Sequence, residues 1–377
     1  MYAMVKHCCD QRYGIVTQCF KADNVSRPPN GYFDNLLLKV NGKAGGQNVS
    51  LEPKLLDGLP VNTRSTMVIG VDVNHPGETE RVMSSVAAAV GSYDQAFALY
   101  NASIRVQAKQ RDETIKQLDL MVGDLLRQYK DARRELPSTL VVFRDGVSEG
   151  QFARVVDVEI PLIRRACAEL GAPNLPFVLI VVQKRHHTRF ALAEQNTSGR
   201  KPTYNVPSGT VVDRDIVDPT LKSFYLNSHF SPLVSSLLLL DYPFSTDHFL
   251  SPLSLQGTSK PTKYVILHDD LNMNADALQQ LCFYSCFSST RTRNVIAIPT
   301  AVRYADLAAY RAKLHIEAQR ALELGSNKPG NTTLSSGSKR SGSGAAPVSS
   351  TEEEAIITKL NCLAHLHEKV KHRLFYC

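Results

Sequence analysis

Four dense apolar runs constrain this chain more than any other feature, and each ends in polar or charged residues. They are TMVIGVDVNHP from Thr66, STLVVFRDG from Ser138, PFVLIVVQKRHH from Pro176 and KYVILHDD from Lys263. The runs are short, rich in β-branched residues and lack the polar alternation of a half-solvated strand. They therefore read as strands buried on both faces. Ser84 to Asp94 and Ala102 to Val106 read as further strands, and NVIAIP (294–299) as a short one. Between them the apolar period changes to that of a helix. Ile115, Leu118, Val122, Leu125, Leu126 and Tyr129 share one helical face. A second helix opens at Ser148 and is expected to be interrupted at Pro161; others are expected over 276–288 and 305–324. Buried strands alternating with helices predict an α/β sheet flanked by helices.

At 377 residues the chain is long for one average domain and suits a large domain with a smaller piece before it. Loop composition between Pro53 and Arg64 marks the expected junction, giving units of 1–62 and 63–377. Residues 326–350 are rich in Gly, Ser and Lys and read as a flexible loop; Thr351 and Glu354 form a capping box for a last helix. The eight cysteines include no CxxC pair, which argues against a zinc or dithiol site and for reduced thiols. The start, MYAMVKHCCD, has no apolar signal core, and no apolar stretch approaches the roughly 20 residues needed to span a bilayer. A soluble protein of the cytoplasm, or also of the nucleus, is the expectation. The net charge of +7 is compatible with a polyanionic partner but does not establish one.

Chemistry enters where the buried strands stop. Asp72 sits in an otherwise apolar strand, where an ionised carboxylate is costly unless it is paired or binds a cation. Asp145 precedes Gly146, and alone an Asp-Gly pair is an ordinary turn. Two buried strands that each deliver an aspartate near one end can, however, gather carboxylates around divalent ions. Two such ions roughly 3.5–4 Å apart can activate water and stabilise the leaving oxygen in phosphodiester cleavage. The run QKRHHTR (183–189) cannot bury all its charges, and reads either as a solvated basic turn or as a phosphate-binding cluster. Lys260 and Lys263 in SKPTK, and Arg291 and Arg293 in TRTR, add supporting positive charge further along the chain.

The order of these motifs is more specific than any one of them. GVDVNHP, FRDGVSEGQF, VVQKRHHTR, QGTSKPTKYVILHDD and RYADLAAYRAK resemble, in sequence order and nearly in spacing, the PIWI domains of the Argonaute family. The resemblance covers almost the whole chain. It implies a ribonuclease H-like PIWI domain, a mixed sheet flanked by helices, over 63–377. The C-terminal part of a Rossmann-like MID domain is implied over 1–62.

It also implies roles. Asp72 and Asp145 match the family's two metal-binding aspartates, and Glu113 matches a glutamate that completes the catalytic set. Asp306, in RYADL, stands where animal relatives commonly have histidine; a carboxylate is also a good ligand for Mg2+ or Mn2+. His315 lies nine residues further on, on the opposite face of the same helix, and is not expected to serve. Tyr2, Lys6, Gln18 and Lys43 match residues holding a guide RNA's 5′ nucleotide and phosphate, with Lys39 and Arg311 in support. Lys184, Arg185, His187, His229, Lys260 and Arg291 match positions along the guide backbone. The implied partners are a small guide RNA, a target RNA and, in some relatives, a glycine–tryptophan-repeat scaffold protein. Two functions follow: a guide-dependent RNA endonuclease, or a non-cleaving platform that recruits effectors. The chain departs from the family by starting inside MID. It also interposes residues 230–255, a stretch expected to leave the sheet and read as a translated retained intron or gene-model error, with a lineage-specific surface loop as the alternative.

Overall fold

The computed structural model describes residues 1–51, 59, 61, 64–76, 84–107, 113–194, 204–229, 258–326, 358, 361 and 365–377. The expected insertion at 230–255, the loop at 326–350 beyond Ser326, the capping box and the 62/63 junction lie outside them.

The chain opens with helix α1 (Tyr2–His7), which continues as a π-helical turn over Cys8–Tyr13, then α2 (Ala22–Ser26) and α3 (Tyr32–Ala44). Strands β1 (Thr66–Asn74), β2 (Val86–Ser92) and β3 (Tyr100–Val106) follow, then α4 (Leu118–Arg133) and β4 (Thr139–Asp145). Next come a short helix α5 (Phe152–Arg154), a π-helical stretch (Val155–Glu159) and α6 (Ile160–Glu169). The helix expected from Ser148 is thus irregular just before Pro161, whose nitrogen has no proton to donate. Strands β5 (Phe177–Gln183), β6 (Thr210–Val212), β7 (Ser223–Asn227) and β8 (Thr262–Asp269) precede α7 (Ala275–Tyr284), α8 (Thr300–Ser326) and α9 (Glu368–Lys371).

The eight strands of the described residues form one mixed sheet in the order β3-β2-β1-β4-β5-β8-β7-β6. The four apolar runs are β1, β4, β5 and β8, adjacent in its centre, and β1, β4 and β5 run parallel. Their lack of alternation has a direct cause: both faces are covered. One face packs on α7, α8 and the C-terminal residues Leu374 to Tyr376; the other packs on α4 and α6. Two expectations fail. NVIAIP is not a strand; it is held by a bond from the Ile296 amide to the Cys286 carbonyl. Strands β6 and β7 had no dense apolar run to reveal them.

Candidate active site and anion pocket

Register brings the two aspartates together. β1 and β4 are parallel neighbours with Val71 opposite Arg144, so the next step along the ladder puts Asp72 beside Asp145. Alternation along each strand then sorts the side chains. Val68 and Phe143 point into the α8-side core, and Asp72 and Asp145 share their parity. Arg144, between them in the alternation, points to the opposite face. Asp306 reaches the same side from the second turn of α8. That helix lies against β1 at backbone distance: a Cβ on Gly70 would fall 2.1 Å from the Ala301 carbonyl carbon. Only glycine permits this approach, which carries Asp306 towards the strand ends.

The electrostatics follow. Burial, with the charges of Asp145 and Asp306, raises the Asp72 carboxyl to about 7, against the opposing pull of Arg144. Burial also raises Asp145, although the Gly146 amide donates to it at 2.7 Å and Arg144 and Arg185 oppose the shift. Glu113 is bonded through Oε1 to His75 Nε2 at 2.7 Å, while His75 Nδ1 meets Ser85 Oγ at 2.7 Å. Among the described residues its Oε2 is buried without a partner. That oxygen would lie 3.1 Å from a Cβ on Gly146, so the glutamate abuts the turn that carries Asp145. Asp306 instead accepts from Arg303 Nη1 at 2.7 Å. Among the described residues, no three His, Cys, Asp or Glu side chains converge tightly enough to hold a metal ion as they stand. The donors nonetheless suit a hard cation: all are carboxylate oxygens, one of them buried and unpartnered.

The second cluster is positive. Tyr2, Lys6, Gln18, Lys39, Lys43 and Arg311 all line one cavity of about 190 Å³ between α1, α3 and α8. Lys6 Nζ donates to the Thr17 carbonyl at 2.7 Å, and Lys43 Nζ to Gln18 Oε1 at 2.8 Å. Burial lowers the Lys43 ammonium to about 7, with Lys6 and Arg311 adding repulsion; burial and Arg311 also lower Lys6. Arg311 is a buried member of the pocket with its own counter-ion. It donates to Asp10 at 2.7 Å, to the Phe375 carbonyl at 2.8 Å and to the Tyr2 hydroxyl at 3.3 Å. His315 sits against the same Asp10 at 3.1 Å, away from Asp306, as its helical phase requires. Burial pushes the Asp10 carboxyl up, but His315 and Arg311 outweigh it and hold it low.

The backbone-contact set divides. The ammonium of Lys184 donates to the Lys260 carbonyl, and burial lowers it to about 8. Burial and the Lys184 charge take His229 to about 4. Arg185 and His187 are exposed. Arg291 does not join them: it lines the cationic cavity, where its charge helps lower Lys39. The sequence reading also missed Cys19 and Tyr376 at that cavity and, behind it, Asp10 as the partner of Arg311, because nothing in the local pattern distinguishes a buried acid in CCDQ from a solvated one.

A Piwi domain model matches residues 1–234 and 242–317, most of the chain. The chain belongs to the Argonaute family. Putative protein tag-76 of Caenorhabditis elegans is 36% identical over 351 residues, covering 91% of this chain and 31% of that protein. Protein argonaute MEL1 of Oryza sativa subsp. japonica is 34% identical over 393 positions, covering all of this chain and 33% of its own length. This Argonaute chain therefore spans about a third of the curated relatives it matches. Among solved structures, the C-terminal lobe of a budding yeast Argonaute superimposes with a TM-score of 0.77 at 25% identity, covering all of this chain and 66% of that one. Kluyveromyces polysporus Argonaute with a guide RNA gives 0.77 at 26% identity, covering all of this chain and 40% of that one. The fold is the ribonuclease H-like one of the Argonaute MID–PIWI region.

Proposed function

We propose that this chain carries the guide-anchoring and target-cutting parts of a small-RNA-guided silencing protein. In this reading it binds a 5′-phosphorylated guide RNA and hydrolyses a phosphodiester of the paired RNA with Mg2+ or Mn2+. One observation carries it: α8 serves two sites of opposite charge. Its Asp306 adds to the field on Asp72, and its Arg311, five residues on, lines the cavity with Lys6 and Lys43. Residues 1–62 are read as the end of the anchoring domain and 63–377 as the cutting domain.

Asp72, Asp145 and Asp306 are the residues that would hold the ions, with Glu113 completing the set. Bound divalent ions supply charge neutralisation, activation of the attacking water and stabilisation of the leaving 3′-oxygen. The chain does the positioning. Parallel β1 and β4 set two carboxylates side by side, and His75 orients Glu113 through its Oε1. Lys6, Lys43 and Arg311 hold the guide's terminal phosphate, with Tyr2 beside them for its first base. Lys184, Arg185, His187, His229 and Lys260 supply contacts along the guide backbone. Sequence is read by base pairing, so these contacts need recognise only phosphate and shape.

A non-cleaving platform, recruiting effectors such as a glycine–tryptophan-repeat scaffold, is the second reading. The ion pair of Asp306 with Arg303 favours it, since the aspartate is engaged elsewhere. The test uses full-length protein, a 5′-phosphorylated guide and a perfectly paired RNA, with and without Mg2+. Cutting is expected only with Mg2+ and is lost in Asp145→Ala. A target that stays whole in both conditions, or is cut equally by Asp145→Ala, replaces the nuclease with the platform. The reading places the protein in the cytoplasm or the nucleus, wherever its target RNA lies.

A further inference from the structure

Behind the acidic site lies a buried ion pair that the proposed chemistry does not use. Arg144 is 1% exposed and Glu159 is fully buried. The guanidinium donates through Nε to Glu159 Oε2 at 3.1 Å and through Nη2 to Oε1 at 3.2 Å. Two of its three remaining protons go to backbone carbonyls: Nη1 donates to Asp145 and Nη2 to Glu113. Glu159 Oε1 also accepts from the Ile115 amide at 3.1 Å. The pair thus grips the backbone at the Glu113 carbonyl and the Ile115 amide, on either side of Thr114, and at the end of β4. Glu159 closes the π-helical stretch before α6, the kind of irregular turn that re-aims a side chain and recurs at functional sites.

Stability alone is a poor account of this arrangement. Two charges taken wholly out of water contribute little net, and well-packed apolar replacements are often as stable. The carbonyls gripped belong to the two residues that carry the buried unpartnered carboxylate oxygen and the strand-end aspartate. Gly146, at φ +85°, leaves no side chain between them.

We propose that Arg144 and Glu159 are positioning residues: they tie the backbone at Glu113 to the end of β4 and so set the Glu113 carboxylate beside Asp145. This rests on the reading that Glu113 acts with the three aspartates. A misplacement of about 1 Å in such a group costs about 100-fold in rate.

The test is a double-mutant cycle in the full-length protein, read two ways: single-turnover cleavage, and Mn2+ affinity by calorimetry without RNA. Glu159→Gln is expected to slow cleavage about 100-fold and weaken Mn2+ binding, leaving guide retention unchanged. In a Glu113→Gln background it should add nothing to either loss. Losses that multiply in that background overturn the proposal. Should Glu159→Gln fail to fold, Arg144→Met/Glu159→Leu removes both charges together. That variant is expected to fold, to bind guide and to show the same losses; wild-type cleavage and Mn2+ affinity in it overturn the proposal. If the wild-type protein cuts nothing, the nuclease reading fails while the Mn2+ cycle still decides the positioning role, additive losses counting against it.

Discussion

The acidic strand ends and the cationic cavity are opposite solutions to the same electrostatic problem. Each gathers like charges in a partly desolvated place, and α8 contributes to both. The cavity is largely balanced from within. Lys6 and Lys43 find the Thr17 carbonyl and Gln18, and Arg311 finds Asp10. The acidic end is less so. At Asp72 burial and the neighbouring carboxylates outweigh the Arg144 charge, Glu113 keeps one buried oxygen unpaired among the described residues, and Asp306 uses a neighbour three residues away on its own helix. The cavity is therefore organised to receive an anion with little rearrangement. The acidic end is organised to gain from cations.

The largest expected effect falls on the cavity. Charge-assisted bonds contribute roughly 1.5–3 kcal/mol each, so Lys6→Ala with Lys43→Ala should weaken retention of a 5′-phosphorylated guide by roughly two orders of magnitude or more. Filter binding over a salt series, in the full-length protein, checks it. Equal affinity for 5′-hydroxyl and 5′-phosphate RNA would mean that the cavity does not receive the terminal phosphate.

Next in size is Asp72. Its folded-state carboxyl near 7, against 3.8 unfolded, means that the native state holds more protons across that window. Metal-free stability should therefore fall as pH rises from about 4 to about 7, by at most about 4 kcal/mol. Asp72→Asn should remove most of this loss and raise the metal-free melting temperature at pH 8. Chemical denaturation across pH, with and without Mg2+, reads it. A variant less stable than wild type at pH 8 would contradict the unbalanced acidic end.

Lys43 carries the opposite sign. Its ammonium, lowered to about 7 from 10.5, costs stability when charged, so the guide-free protein should gain stability as pH rises from about 7 to about 10.5. A bound phosphate restores the charged form. Guide binding at pH 7.5 should then take up a fraction of a proton, measurable by calorimetry in buffers of different ionisation enthalpy and diminished in Lys43→Met. No uptake would mean that the cavity is not desolvating this lysine.

The smallest effect concerns Arg303. Its pair with Asp306 is substantially solvated, and such pairs contribute about 1 kcal/mol or less. Arg303→Ala should tighten Mn2+ binding only severalfold by freeing the aspartate. Unchanged or weaker binding would show that Arg303 does not compete for Asp306.

Much of this was legible before any coordinates. The four apolar runs announced the central strands because a strand covered on both faces must be apolar at every position. Asp72 and Asp145 were visible as charges interrupting that rule. The six residues expected at the guide's 5′ end, read by resemblance, do line one cavity. Strands β6 and β7 were illegible: Thr210–Val212 is short and only partly buried, so nothing forces a period on it.

By itself the sequence determined which strands are central, which acids end them and which basic residues the chain offers. Tertiary structure alone decided their company. Parallel register set Asp72 beside Asp145, and alternation sent Arg144 to the far face and Glu159. The close seat of α8 on Gly70 brought Asp306 to the aspartates and Arg311 to Asp10. The fold also put Arg291 in the lining of the cationic cavity. These are contacts between residues far apart in the chain, and local patterns of hydrophobicity and charge carry no record of them.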